Sequence, residues 1–158
     1  MMGDITAEDI QLLNSYHTLS PTGQKELKDY TRYLLCKQYK REVMHAVFQN
    51  QIIHNLIRHL LYIVEREEFD ISQVEKRVGQ IKEIYYGVFE QVHNKYSELI
   101  EDLDSHELVK EFGRNSFFNI KRAIDIKNCH LIRLEVVDFS EGFNKFAKNK
   151  DARKIVAV

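Results

Sequence analysis

Apolar residues recur three and four positions apart along most of this chain, the spacing that gathers side chains on one side of a helix. The pattern predicts an all-α bundle of about five or six helices. Ala7 to Tyr16 reads as a short first helix with Thr6 as its cap, and Ser20-Pro21 as the start of a second. A serine suits the cap position there, and proline suits the first turn because its φ is already fixed near the helical value. From Pro21 the apolar period runs through Leu27, Tyr30, Leu34, Val43 and Val47 and on to about Glu67, with the polar run Lys37 to Glu42 as a bend or a solvated face. Within it, Ile52 to Val64 is apolar on almost every side, which predicts a helix enclosed by neighbours at the centre of a bundle or at a dimer seam.

The most regular stripe follows, from Ile71, Val74, Val78, Ile81 and Tyr85 through Val92 and Tyr96 to Leu103, with Asp70 or Ser72 to cap it. It predicts a second long helix packed lengthwise on the one before it. Either the two run antiparallel within one chain, as a short connection favours, or the stripe forms a coiled-coil dimer. Gly79 and Gly87 each cost about 1 kcal/mol of helix propensity relative to alanine, and the expectation is that they mark close helix approach. Further on, Ser105 opens a short helix over 106–112, Gly113 ends it in a left-handed cap, and Asn115 or Ser116 caps another helix through Ile120, Ala123 and Ile124. His130 to Phe139 is read as helix continuing through Phe143 and Phe146. The alternative is a strand leading into Ser140-Glu141-Gly142, a small C-terminal β-hairpin or wing. The tail from Lys145 ends in an apolar Ile-Val-Ala-Val, an edge strand or a loose end.

Composition narrows the classes. With 158 residues, 44% hydrophobic and 30% charged, the chain can bury one core and is too apolar for disorder. It is too short for a barrel enzyme of about 250 residues, and its six glycines form no phosphate-binding loop. Cys36 and Cys129 make no CxxC pair and are expected as reduced thiols of a cytoplasmic protein. The N-terminus carries no basic-then-apolar leader, and the 13-residue run Ile52 to Val64 is shorter than the roughly 20 residues a membrane span needs, so no membrane partner is expected. Net charge is −1, but this is a cancellation. Residues 1–113 hold 13 Lys/Arg against 19 Asp/Glu, and residues 114–158 hold 10 against 5. The chain is accordingly divided into an acidic helical bundle and dimerisation region, 1–104, and a basic region, 105–158, in which a winged helix-turn-helix is the candidate.

Three constellations could carry chemistry. Glu42-Val-Met-His45 and Glu90-Gln-Val-His93 are two E-x-x-H units, the spacing by which di-iron helical bundles present ligands on one face. A metal site on Glu42, His45, Glu90 and His93 is therefore an alternative reading, although the two further glutamates such a site needs are not singled out by the periodicity; no cofactor is the main expectation. His54, Asn55, Arg58 and His59 give the apolar helix two polar edges, which call for partners at an interface or a small ligand. The segment Ser105 to Ile124 has the parts of a helix-turn-helix, and Arg114, Asn119, Lys121, Arg122, Lys127, Lys145 and Lys148 are the candidate DNA-contacting residues.

Two resemblances add context. Leu19-Ser20-Pro21, Gly23-Gln24, Glu26-Leu27, Asp29-Tyr30 and Tyr33-Leu34-Leu35, within residues 12–42, resemble the helical segment that follows the DNA-binding domain in Firmicute repressors of the xenobiotic-response-element type. The helix-turn-helix that precedes the segment in that family is absent here. More weakly, 105–139 resembles the ELxxxxG…RRAL core of winged-helix regulators, with Arg114 at a position that is usually apolar. Together these imply a bacterial or phage-derived regulator: non-enzymatic, acting as a homodimer, and contacting duplex DNA or another regulatory protein through its basic end. The readings from other classes are the metal-binding bundle and a small-ligand sensor built on His54 and His59.

Overall fold

A computed structural model of the chain describes residues 3–101, 103 and 108–149. Within them the chain forms six helices and no strand: α1 (Ala7–Thr18), α2 (Pro21–Phe48), α3 (Gln51–Val64), α4 (Ile71–Ser97), α5 (Leu108–Ile126) and α6 (Cys129–Ala147). The all-helical expectation holds at this level.

Capping chemistry sets most of the starts. Thr6 and Asp9 exchange hydrogen bonds in a capping box at α1. The Ser20 hydroxyl accepts from the Gly23 amide with Pro21 in the first turn of α2, and Asp70 accepts from Ser72 at α4. One start escapes the apolar period. The helix expected to run from Pro21 to Glu67 breaks at Gln49 and Asn50, where the Asn50 side chain accepts from the Ile53 amide and opens α3. The break lies beyond the Lys37 to Glu42 run, through which the helix continues.

Packing corrects the enclosed-helix expectation for Ile52 to Val64. Ile53, Ile57, Leu60 and Val64 are buried, but Ile52 and Tyr62 face outward, 59% and 62% exposed. This is a one-sided helix on the bundle surface. The long stripe of α4 is buried from Val74 to Tyr96; the helix stops at Ser97, and Leu99 is exposed.

α4 packs against α2, α3 and α5, while α6 packs against α5, α3 and α2. One buried cluster runs from Tyr39 to Phe143 and includes side chains from both sides of residue 104. Its centre is aromatic. Phe48, fully buried at the end of α2, meets Tyr85, Phe112, Phe143 and Phe146 with ring centroids 4.9–6.4 Å apart. Each such pair adds about 0.5–1.5 kcal/mol to the gain from burial itself.

Gly113 does not turn the chain. It lies inside α5, has no positive φ, and is buried; a Cβ there would stand 2.5 Å from Cε1 of Tyr85. Gly142 likewise lets Phe112 approach, with a Cβ position 2.8 Å from that ring. Close approach thus falls on Gly113 and Gly142. At Gly79 and Gly87 the space is open, contrary to expectation. The left-handed residue is Lys127, φ 59°, after which the Asn128 side chain accepts from Leu131 and starts α6.

Two consequences follow for the C-terminal third. Residues 108–126 are one continuous helix, so the turn between two short helices is absent, and 129–147 is helix, so the strand or wing alternative fails over those residues. The proposed start at Ser105 and the tail from residue 150 lie outside the described residues.

Candidate functional site

The sequence nominated four sets of residues, and the fold treats each differently. In the metal set, Glu42 reaches across from α2 to α4, where its carboxylate accepts from Lys95 Nζ at 2.8 Å and from the Tyr96 hydroxyl. Gln38 Nε2 donates to the same hydroxyl oxygen at 2.9 Å. Burial pushes the Glu42 carboxyl up, but hydrogen bonds from Lys95 and Tyr96 outweigh it and hold it below its ordinary value. Burial, and then the bond to Glu42, push Tyr96 up to about 12. Glu42 therefore serves as the acceptor of a cross-helix polar clasp, with an ammonium where a metal ligand would need a cation. Among the described residues no three His, Cys, Asp or Glu side chains stand together as a metal group, and the di-iron reading is not supported. His93 instead lies against the rings of Tyr39 and Phe89.

The polar edge of α3 separates into three roles. His54 Nε2 donates to the Phe48 carbonyl at 2.7 Å and its ring lies edge-on to Phe143, 4.9 Å between centroids. It fastens the end of α2, whose last carbonyls have no helical partner of their own. Arg58 donates to Asn55 Oδ1 at 3.2 Å on the surface, and His59 is exposed. These four side chains do not converge on a pocket.

The basic set lies outside. Arg114, Asn119, Lys121, Arg122, Lys127, Lys145 and Lys148 are all exposed. Acids are interleaved with them on α5: Arg114 stands 3.9 Å from Glu111 and Lys121 3.8 Å from Asp125. The missing turn leaves Arg114, Asn119, Lys121 and Arg122 along α5, Lys127 just after it, and Lys145 and Lys148 at the end of α6, rather than together at the tip of a recognition helix.

Arg133 on α6 is a residue the sequence reading did not single out. Its guanidinium donates to the carbonyls of Val64, Arg66 and Glu67 and lies over the Phe69 ring. A cation at the carbonyl end of α3 also complements the helix dipole. Nothing in the local spacing of 129–147 announces this, because the partner is 66 or more residues away.

The fourth set is the segment that carries the repressor resemblance, and it is the most unusual surface of the molecule. α1 buries no residue and packs along no other helix, and α2 contributes fully buried side chains only from Tyr39 onward, with Leu35 and Cys36 half-buried against the core. Leu19 and Ser20, both extended, join the two helices without folding α1 back along α2. Ile5 is 72% exposed and Leu12 65%, and Ile10, Leu13 and Leu19 are exposed with them. On α2, Tyr30 and Tyr33 are each 58% exposed and stack at 6.3 Å, with Leu34 beside them.

Direction around α2 does not decide this difference. Tyr39 lies nine residues, two and a half turns, from Tyr30, but Phe48 lies eighteen residues, five full turns, from it and so on the same side, and both Tyr39 and Phe48 are fully buried. Position along the helix decides it: Gln38 and Glu42 already meet Tyr96 at the end of α4, and the turns of α2 before them bury no residue.

No protein-family model, curated protein or solved structure is significantly similar to this chain. No helix among the described residues is long and apolar enough to cross a membrane.

Proposed function

We propose that this chain is a non-enzymatic regulatory protein that works through helix-mediated self-association, with α1 and the N-terminal half of α2 as its working surface. The observation that carries the reading is the apolar surface left open on those two helices beside a body that has completed its own core. A monomer exposes apolar patches of about 300–600 Å2 at most without functional reason. The resemblance of residues 12–42 to the post-DNA-binding segment of Firmicute repressors supports a bacterial, cytoplasmic regulatory setting.

The body acts as a scaffold in this reading. An antiparallel run of α2 and α4 is supported by the order of their contacts: Gln38 and Glu42 meet Tyr96, whereas Phe48, further along α2, meets Tyr85, earlier along α4. This reading puts the dimer seam on the N-terminal helices; the buried stripe of α4 is already occupied by helices of its own chain, which supports that choice. Duplex DNA is the weaker partner for the basic end, since its candidate residues lack a turn to present them. Loss of mobility-shift activity on Lys121→Glu with Arg122→Glu would revive it.

Light scattering across about 1 to 100 µM tests the central reading. The expected result is a mass rising from 18.8 kDa toward twice that value, and a return to monomer in Leu13→Asp/Leu34→Asp with unchanged helical content. A wild-type chain that stays monomeric over the whole range overturns it.

A further inference from the structure

The apolar surface of the N-terminal helices has a sign of charge on each part. Residues 3–20 carry Asp4, Glu8 and Asp9 and no Lys or Arg, a net −3. Residues 21–41 carry six Lys/Arg against Glu26 and Asp29, a net +4. The two halves are joined by only Leu19 and Ser20 and meet at the corner, where Gln24 Nε2 donates to the Tyr16 carbonyl at 3.1 Å and the Lys28 ammonium lies over the Tyr16 ring, without packing lengthwise on one another. Opposite charges on two apolar helices left unpaired along the rest of their length are complementary between two molecules.

We propose that the covering partner is a second copy of this chain, with α1 of each protomer laid along the N-terminal half of α2 of the other. This rests on the self-association reading and adds its geometry. A two-fold pair of this kind is closed and self-complementary, since each copy gives an acidic α1 and receives one on its basic α2. The receiving surface is a shallow groove beside Tyr33, lined by Asp29, Arg32, Cys36, Lys37 and Lys40. Tyr30 and Leu34, both exposed, precede its Tyr33 and Lys37 by three residues, about one turn. The donated surface is the apolar side of α1, with Ile10, Leu12 and Leu13, and Glu8 at its edge.

The area is sufficient. Eight large apolar residues between Ile5 and Leu34 are 41–72% exposed; at roughly 200 Å2 for a fully exposed large side chain they present about 900 Å2. Each partner in a standard interface contributes about 800 Å2. Pairing like with like, α1 on α1 and α2 on α2, would set −3 against −3 and +4 against +4.

Charge reversal separates these arrangements. One variant carries Asp4→Lys with Glu8→Lys, the other Lys37→Glu with Lys40→Glu; all four side chains are exposed, and Asp9 is left in place to cap α1. The reciprocal arrangement predicts that each variant alone dimerises at least about tenfold more weakly than wild type at low salt, and that an equimolar mixture forms a one-to-one heterodimer tighter than either variant's own dimer, because the mixed pair restores one of the two acidic-on-basic contacts. Two outcomes overturn the arrangement while leaving self-association intact: either variant alone dimerising as tightly as wild type, which indicates like-with-like pairing, or a mixture that stays monomeric. A monomeric wild type overturns both.

Discussion

Tyr30 and Tyr39 sit nine residues apart on the same helix, and one is 58% exposed while the other is fully buried. The difference is general to the two regions they represent. The body, from Tyr39 to Phe143, closes around an aromatic centre in which Phe48 touches rings from α4, α5 and α6. The N-terminal region, α1 and the first half of α2, has apolar side chains of the same kinds and buries none of them completely. Hydrophobic content does not separate the two regions; what separates them is whether another helix of the same chain reaches the apolar side. In α2 other helices of the chain cover the turns from Tyr39 to Phe48 on more than one side and leave the turns before Leu35 open.

Substitutions in the body should be felt through unfolding, and those in the N-terminal region through association. The largest effect is expected for Phe48→Ala, which deletes the ring common to four aromatic contacts and should cost about 3–5 kcal/mol in urea unfolding. A cost under about 1 kcal/mol would mean that the aromatic cluster does not hold the body together.

Glycine substitutions come next, with opposite signs. Gly113→Ala forces a Cβ against the Tyr85 ring and should destabilise by about 1–3 kcal/mol. Gly79→Ala and Gly87→Ala place a Cβ in open space within α4 and should stabilise by about 0.5–1 kcal/mol. Equal signs at Gly113 and Gly87 would contradict the close packing of α5 on α4.

The smallest effect is a pH dependence from the clasp between α2 and α4. Glu42 has a folded pKa below its ordinary value of 4.5, so its contribution is present above that value and is lost as pH falls through the folded pKa. Tyr96 is raised from 10.0 to about 12, so its contribution is present below 10 and is lost as pH rises through about 12. Glu42→Gln should flatten the acid side of the stability profile and Tyr96→Phe the alkaline side, both by urea titration at a series of pH values. An unchanged acid limb in Glu42→Gln would remove the carboxylate from the account of how the two helices are tied.

Local chemistry was legible in the sequence where the cause was local. Thr6, Ser20 and Asp70 cap the helices they precede, and the period from Val74 to Tyr96 is the buried side of α4. Asn50 carried the same kind of signal and was hidden by an apolar period that continues across it. Gly113 was misread because a glycine after a short apolar run looks like a helix end, whereas its reason is the Tyr85 ring, 28 positions earlier in the chain. His54 looked like a ligand-facing group for a related reason: its partner is the Phe48 carbonyl, which becomes available only because α2 ends there. The E-x-x-H spacing was real, but spacing along a helix does not fix what faces it, and Lys95 and Tyr96 face Glu42. The exposed N-terminal stripe of Tyr30 and Leu34 runs into the apolar period of the buried turns after it, and spacing along one helix does not say where the neighbouring helices end.

The central claim is that the body completes its own core and the N-terminal helices need a partner. Amide hydrogen exchange followed at several protein concentrations tests it most directly, because it reads both regions in one sample. The account predicts that protection over residues 7–37 rises with concentration across about 1 to 100 µM, while protection in α3 to α6 stays constant. Protection over 7–37 that is independent of concentration would contradict it, as would protection that rises equally in both regions.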